Sequence, residues 1–382
     1  MDTDLLIAQG NSLRAQHRPL EALKCYAQAF VADPESSAAW NNYGNVLREC
    51  GQPARAIPFL QHAIVLDPNS ATAQFNLAVA YLQMGNYQDG WRQYEARWNY
   101  EHLAGQLPRY TQPRWTGQDL RDQTILVEGE QGHGDNIQFV RFLWNLHVMG
   151  ARIKLKVTDG LIPLLATSPL LQTVARYVDD VGDFDYWTPI MSIPGILGVT
   201  LDNLPRPVSY MNAPWDLQQQ WLERLGPKTR MRVGFCWSGR RDNWLNEHKG
   251  MPFETMLAMI QNNPQYEWVN LQIDAEPEQE QQLANAGVRR FPGSIASFAD
   301  SAALIMAMDV VISVDTAVAH LAGSLGRPVW IMLNWFGTDW RYLLNRNDSP
   351  WYSTARLFRQ PAQDDWQSVT KQVSQYLSWF KV

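Results

Sequence analysis

Two short segments of the chain combine residue types that chemistry needs. The first is Gly129-Glu-Gln-Gly132-His133-Gly134-Asp135. Its glycines allow positive φ and close backbone approach to a ligand, and Asp135 and His133, with Glu128 and Glu130 beside them, can move protons. The spacing departs from the dinucleotide fingerprint, because G-E-Q-G-H-G and G-H-G-D-N-I both lack its third glycine. The second is Ser313-Val-Asp315-Thr316-Ala317-Val-Ala-His320-Leu-Ala-Gly323. Here Thr316 stands at a helix start, where free N–H groups and the helix dipole suit a diphosphate. His320 follows four residues later on the same helix face. Plainer roles fit the same residues: Asp135 and Thr316 as helix caps, His320 as a buried histidine with its nitrogens satisfied.

A third segment, Trp237-Ser238-Gly239-Arg240-Arg241 through His248-Lys249, brings cations to a strand end, where they could balance a diphosphate leaving group without a metal. Gln272, near the end of a neighbouring strand, could bond a nucleobase edge.

The surrounding pattern must position these segments. Thr124–Glu128 is a short apolar run that reads as a buried strand, followed by helical spacing over Ile137–Met149 and a strand at Ile153–Val157. A helix begins at Leu161–Leu165, Gly182–Pro207 reads as loop, and Trp215–Leu225 as helix. A second block repeats the alternation. Strands are expected at Arg232–Trp237, Glu267–Ile273, Val310–Ser313 and Pro328–Leu333, helices at Phe253–Ile260, Ser301–Met308 and Ala317–Leu325, and an amphipathic helix over Asp364–Phe380. Alternating strands and helices predict parallel sheets, in which ligands sit at the carboxyl ends of the strands. Both glycine- and threonine-bearing segments fall there.

The first hundred residues follow a different rule. Asp33-Pro34 recurs as Asp67-Pro68, 34 residues later. At that period Gly10 aligns with Gly44 and Ala78, Ala22 with Ala56 and Gly90, Tyr26 with Leu60 and Tyr94, and Ala29 with Ala63. Small residues at fixed intervals mark close helix crossings, and the pattern resembles the tetratricopeptide repeat. The third copy drifts after Tyr94 and places Arg97 where a small residue is expected. Asn41, Asn42, Asn45 and Asn76 lie on first helices of the repeats, where their amides could bond an extended peptide backbone. Alternatively they are solvated surface, and the repeats a platform for the following domain.

Composition narrows the classes. The 382 residues predict two or three domains. A net charge of −6 argues against a nucleic-acid partner. No apolar run approaches a membrane span, and the N-terminus has none of the marks of a secretory signal. Three scattered cysteines suit a reducing compartment, and the expected location is cytoplasmic. Seventeen tryptophans must line large cores or concave polar surfaces.

GEQGHGDNIQF, SVDTAVAHLAGSLGRPVW, DWRYLL and DSPWY together resemble bacterial proteins that join tetratricopeptide repeats to a glycosyltransferase of the ADP-heptose:LPS heptosyltransferase superfamily. That resemblance implies a helical repeat array followed by α/β of GT-B type, two Rossmann-like domains. The boundaries expected are 1–104 for the repeats, 105–228 for the acceptor-side domain, 229–362 for the nucleotide-sugar domain and 363–382 for a closing helix. It implies inversion at the anomeric carbon without metal or other cofactor. Asp135 would be the general base, with His133 the alternative proton acceptor. The donor would be held by Gly132, Gly134, Trp237, Ser238, Gln272, Ser313, Asp315, Thr316, Ala317 and His320, with Lys249 or Arg240 as cation. Ala317 stands where the superfamily usually has glycine, and His133 precedes the glycine-aspartate pair. The architecture is also similar to the O-GlcNAc transferases, whose repeats receive protein acceptors. The expected partners are a nucleotide sugar (UDP-, ADP- or GDP-linked) and a protein, peptide or glycan acceptor. The rival readings are a non-catalytic repeat adaptor carrying a retired transferase, and a sugar-nucleotide epimerase of the same fold.

Overall fold

The computed structural model describes residues 2–100, 105–108, 110–239 and 249–380. The chain forms two compact units, one of Met1–Arg109, Leu197–Leu204 and Trp335–Arg346, the other of Tyr110–Ile196, Pro205–Asn334 and Asn347–Val382.

The first unit is built on three helical hairpins: α1 (Thr3–Ala15) with α2 (Pro19–Ala32), α3 (Ser37–Glu49) with α4 (Pro53–Leu66), and α5 (Ala71–Gln83) with α6 (Tyr87–Tyr94). Local chemistry sets their starts. Asp2, Ser36 and Ser70 cap α1, α3 and α5 with side-chain oxygens, and Pro19 and Pro53 open α2 and α4, where a missing N–H costs nothing. The 34-residue period has a direct cause. A Cβ on Gly10 would stand 2.5 Å from the Tyr26 ring, and one on Gly44 2.8 Å from Leu60 Cγ. The aligned small residue and the aligned large one meet within each of the first two hairpins, so both recur together. The drift in the third copy is a short 3-10 turn, Glu95–Asn99, in which Arg97 is fully buried with its guanidinium over the Tyr94 and Trp98 rings.

Two segments from far along the chain complete this unit, from ranges the sequence assigns to the two α/β domains. Trp91 Nε1 donates to Val199 O at 3.0 Å. Gly337 N donates to Glu49 O at 2.8 Å, and Gln83 Nε2 to Thr338 O at 3.0 Å. Trp340 packs edge-on against Trp91 and Tyr87.

The second unit contains two parallel sheets. The elements of the first are β1 (Thr124–Glu128), α7 (His133–Phe139), α8 (Leu143–Val148), β2 (Arg152–Lys156), α9 (Ile162–Leu165), β3 (Leu171–Ala175), β4 (Tyr186–Pro189) and α10 (Ile193–Ile196). After α11 (Trp215–Leu225) come β5 (Arg232–Cys236), α12 (Phe253–Gln261), β6 (Glu267–Asn270), α13 (Pro277–Asn285), α14 (Phe298–Met306), β7 (Val310–Val314), α15 (Ala317–Ser324), β8 (Val329–Leu333), β9 (Ala355–Arg359) and α16 (Trp366–Trp379). The strand orders are β3-β2-β1-β4 and β6-β5-β7-β8-β9, parallel throughout. The second sheet's core joins Val233, Phe235, Ile312 and Met332 to Phe253 and Met256 of α12 and Val369 and Val373 of α16, so the closing helix is an integral layer.

The expected helix over Ile137–Met149 is divided. α7 ends at Phe139 and a 3-10 turn at Val140–Phe142 precedes α8. Arg141, at that turn, is buried and returns its Nε to Gln138 O. β3, β4, β9 and α13 lie where sequence periodicity gave no element; β3 and β9 are edge strands and β3 is only partly buried, which dilutes the apolar signal.

Candidate functional site

Strand order reverses direction at two places in the second unit: between β1 and β4, and between β5 and β7. At such switch points the loops leaving adjacent strands diverge and open a crevice for a ligand. The glycine-rich loop leaves β1. The segments beginning at Trp237 and at Asp315 leave β5 and β7. Topology thus puts the start of each of these segments at the carboxyl end of a strand beside a switch point.

Asn136 shapes the first loop. Fully buried, it accepts from Glu130 N–H and donates to the carbonyls of Glu130 and Gly132, the last at 2.9 Å. A Cβ on Gly129 would collide with its Oδ1, which is why glycine stands there. Gln131 turns the chain with φ of 58°, a conformation that costs an L-residue about 1–2 kcal/mol and is offset here by the three bonds of Asn136. Asp135 Oδ2 accepts from Gly132 N at 2.8 Å, so the carboxylate restrains the helix start. Behind the loop, Glu128 accepts from the Tyr110 hydroxyl, and burial raises its carboxyl above the usual range.

The second loop is organised by charge. Asp315 is buried and its Oδ2 lies 2.6 Å from Lys249 Nζ, its Oδ1 3.6 Å from His320 Nε2. Burial alone would raise this carboxyl; Lys249 and His320 instead hold it well below the ordinary carboxylate range. Thr316 occupies the N-cap position of α15, yet its hydroxyl does not cap the helix. It bonds Ser313 Oγ at 2.9 Å, and Ser313 is fully buried. The helix start therefore carries no side-chain cap, the arrangement that suits an external anion.

The two loops meet. A Cβ on Gly134 would stand 2.7 Å from His320 Cδ2 and 3.6 Å from Ala317 Cα. The His133 ring lies 4.9 Å from that of Phe298 on α14. Gly134, between His133 and Asp135 in α7, is thereby brought beside Ala317 and His320 of α15.

Other expected residues lie elsewhere in the fold. Trp237 is buried in the core against Phe235 and Phe253. Gln272 accepts from Ser238 N at 3.2 Å and donates to Asp274, which commits its amide to the loop after β5. Burial pushes the nearby Cys236 thiol up to about 11. Arg240 and the polar segment through His248 lie outside the described residues. In the repeats, Asn76 donates to Asn41 at 2.9 Å, Asn41 to Asn42 at 3.0 Å, and Asn42 to Asn11 at 3.2 Å, a ladder across α5, α3 and α1. Asn45 instead bonds Arg48 and Glu49, and Glu49 also accepts from Arg14 at 2.7 Å.

Sequence reasoning missed Asn136, Arg141, Tyr210 and Tyr352. Tyr352 Oη lies 2.8 Å from His320 Nδ1; its signal was its place in the DSPWY motif, with no spacing rule tying it to His320. Among the described residues no group of three or more His, Cys, Asp or Glu is placed to hold a metal, and no helix is long and apolar enough to cross a membrane.

Two family models described as tetratricopeptide repeat match residues 7–71 and 59–92. Protein FlbA of Caulobacter vibrioides is 29% identical over 338 residues, covering 80% of this chain and 55% of that protein. The chain thus spans about half the length of the curated relative it matches. Among solved structures, ADP-heptose LPS heptosyltransferase II of E. coli aligns with a TM-score of 0.49 at 15% identity, over 67% of this chain and 98% of that one. The glycosyl transferase family 9 protein of Veillonella parvula aligns at 0.48 and 12%, over 70% and 92%. Residues 7–92 are tetratricopeptide repeats, and a part with two parallel sheets follows them.

Proposed function

We propose that this chain is a metal-independent, inverting glycosyltransferase that moves a sugar from a nucleotide-sugar donor to a hydroxyl acceptor and needs no cofactor. The contact of Gly134 with His320 carries the reading, because it puts an acid/base loop and an anion-suited helix start at one place. Asp135 takes the acceptor proton as the hydroxyl oxygen attacks the anomeric carbon from the face opposite the leaving group. The bond from that carbon to the phosphate oxygen breaks, and the nucleoside diphosphate leaves with the electron pair. The start of α15, Thr316 and Lys249 meet the charge that develops on it. Placement and fixed electrostatics supply most of the rate. Lys249, held by Asp315, is the cation of this scheme; a charge supplied by a side chain does what a metal does elsewhere.

The acceptor is a protein or peptide received by the repeats. The ladder from Asn11 to Asn76 supports this, since amides lined up across first helices can bond an extended backbone. A reducing, cytoplasmic setting fits three cysteines that are all buried and unpaired.

Incubation of the purified protein with UDP-, ADP- and GDP-sugars tests the reading. The expected result is nucleoside diphosphate release that persists in EDTA, with transfer giving the anomer opposite to that of the donor. Binding of a nucleotide without any turnover would establish the adaptor instead, and abolition of turnover by EDTA would remove metal independence.

A further inference from the structure

Arg141 lies buried in the 3-10 turn that follows α7, seven residues past Gly134. Every nitrogen of its guanidinium donates. Nε bonds Gln138 O at 2.9 Å, within the last turn of α7 itself. Nη1 bonds Trp351 O at 2.7 Å and Pro205 O at 3.3 Å, and Nη2 bonds Tyr210 Oη at 3.0 Å. The guanidinium carbon stands 4.6 Å from the centre of the Tyr210 ring, 5.1 Å from that of Trp351 and 5.0 Å from that of Tyr352.

Pro205 and Tyr210 lie on the stretch that leads from the first sheet into α11, Trp351 and Tyr352 on the stretch that enters β9. Both stretches are fastened to the far end of α15. Tyr210 N and Met211 N donate to Ser324 O at 3.0 and 3.2 Å, and a Cβ on Gly323 would collide with the Tyr352 ring. Arg141 thus grips the groups that hold the last turn of α15, while Gly134 packs on Ala317 and His320 nearer its start.

A helix that touches its neighbour at one point can swing about it; a second point fixes the direction of its axis. Seven residues of helix put these two points about 10 Å apart. α7 is bound in turn to the loop leaving β1 by Asn136, whose amide donates to Glu130 O and Gly132 O. The placement of that loop against α15 therefore runs through Arg141. Arginine is the side chain such a joint requires. Its planar fork of five donors reaches acceptors in diverging directions while its faces meet aromatic rings, whereas lysine offers a single nitrogen with three donors.

We infer that Arg141 is a positioning residue: with Gly134 it sets α7 on α15 at two points, and so fixes where Asp135 stands against the start of α15. The consequence for turnover rests on the glycosyltransferase reading above; the joint itself does not.

Spin labels on the full chain separate the two. Gln172→Cys on β3 and Gln281→Cys on α13 place one label at an exposed position on each sheet's side, and the native cysteines are buried. Electron–electron distance measurement should give one narrow distribution for this pair. Arg141→Lys should broaden it, and Arg141→Met should broaden it more. Tyr210→Phe removes one hydroxyl and leaves the guanidinium its carbonyls, so it should broaden it least. With UDP-, ADP- and GDP-glucose as probes, kcat for nucleoside diphosphate release by Arg141→Lys should fall about 10- to 100-fold, with nucleoside diphosphate affinity within about threefold because the start of α15 is kept. Distances as narrow in Arg141→Lys and Arg141→Met as in wild type overturn the inference, even if both variants unfold at lower urea concentration, since Arg141 would then only fill the core. A broadened distribution with unchanged kcat overturns it as well. If the distances broaden as expected but wild type itself releases no nucleoside diphosphate, the joint stands and the glycosyltransferase reading fails.

Discussion

Gly134 and His320 are packed so closely that the helix of one loop has room for no side chain beside the imidazole of the other: a Cβ at 134 would lie 2.7 Å from His320 Cδ2. Two effects of opposite sign act on Gly134→Ala. Helix propensity favours alanine inside α7 by about 1 kcal/mol, while overpacking a buried contact costs about 1–3 kcal/mol. His320 is held at both nitrogens and cannot swing aside, so the second effect wins. The variant should unfold at lower urea concentration than wild type and bind nucleotide more weakly. A gain in stability with unchanged binding would mean the two loops are not packed as described.

Thr316→Val combined with His320→Ala removes a hydroxyl and an imidazole from the start of α15. Hydrogen bonds to charged groups contribute about 1.5–3 kcal/mol each. Calorimetry should therefore show nucleotide diphosphate affinity lowered by about 10²- to 10⁴-fold. Unchanged affinity would take this helix start out of the donor site.

The lowered carboxyl of Asp315 makes a signed prediction about acid. Its folded pKa is depressed, so its contribution to stability is present above the unfolded value of about 4 and is lost as pH falls below that. Urea unfolding between pH 7 and pH 3 should show this acid loss in wild type. Asp315→Asn should lack that part of the pH dependence and be less stable at pH 7 by about 3–5 kcal/mol, because a buried ion pair is broken. Parallel pH curves for the two proteins would contradict the ion pair.

Trp340 is the anchor of the distant segment that completes the repeat unit, with rings of Trp91 and Tyr87 against it. Trp340→Ala should cost about 3–5 kcal/mol and speed hydrogen exchange in α5 and α6. If exchange quickens only within Trp335–Arg346, that segment is not part of the repeat core.

Periodic features were readable in advance and singular ones were not. The hairpins announced themselves because Gly10 with Tyr26, and Gly44 with Leu60, repeat one packing solution. β1 and α11 carry strong runs and appear at the bounds the sequence predicts. The contact between Gln83 and Thr338 spans 255 positions, and no local pattern encodes a partner that remote. The resemblance implies a donor role for Trp237, but it stands two residues from Phe235 and is buried with it in the core. Gln272 sits near a strand end, where an amide could meet a ligand; that Ser238 and Asp274 already engage it depends on how the loops fold, which no local pattern encodes. Arg141 and Tyr352 have no diagnostic spacing, since their roles arise only when two halves of the unit pack together.

The most direct test of the account is the turnover of a nucleotide sugar by Asp135→Asn beside wild type, with nucleotide affinity measured on both. Asparagine can still accept from Gly132 N–H, so the helix start is preserved while the base is lost. The account predicts turnover reduced by about 10²- to 10⁴-fold with affinity within about twofold. Turnover equal to wild type would show that Asp135 only caps α7, and the proposed chemistry would lose its base.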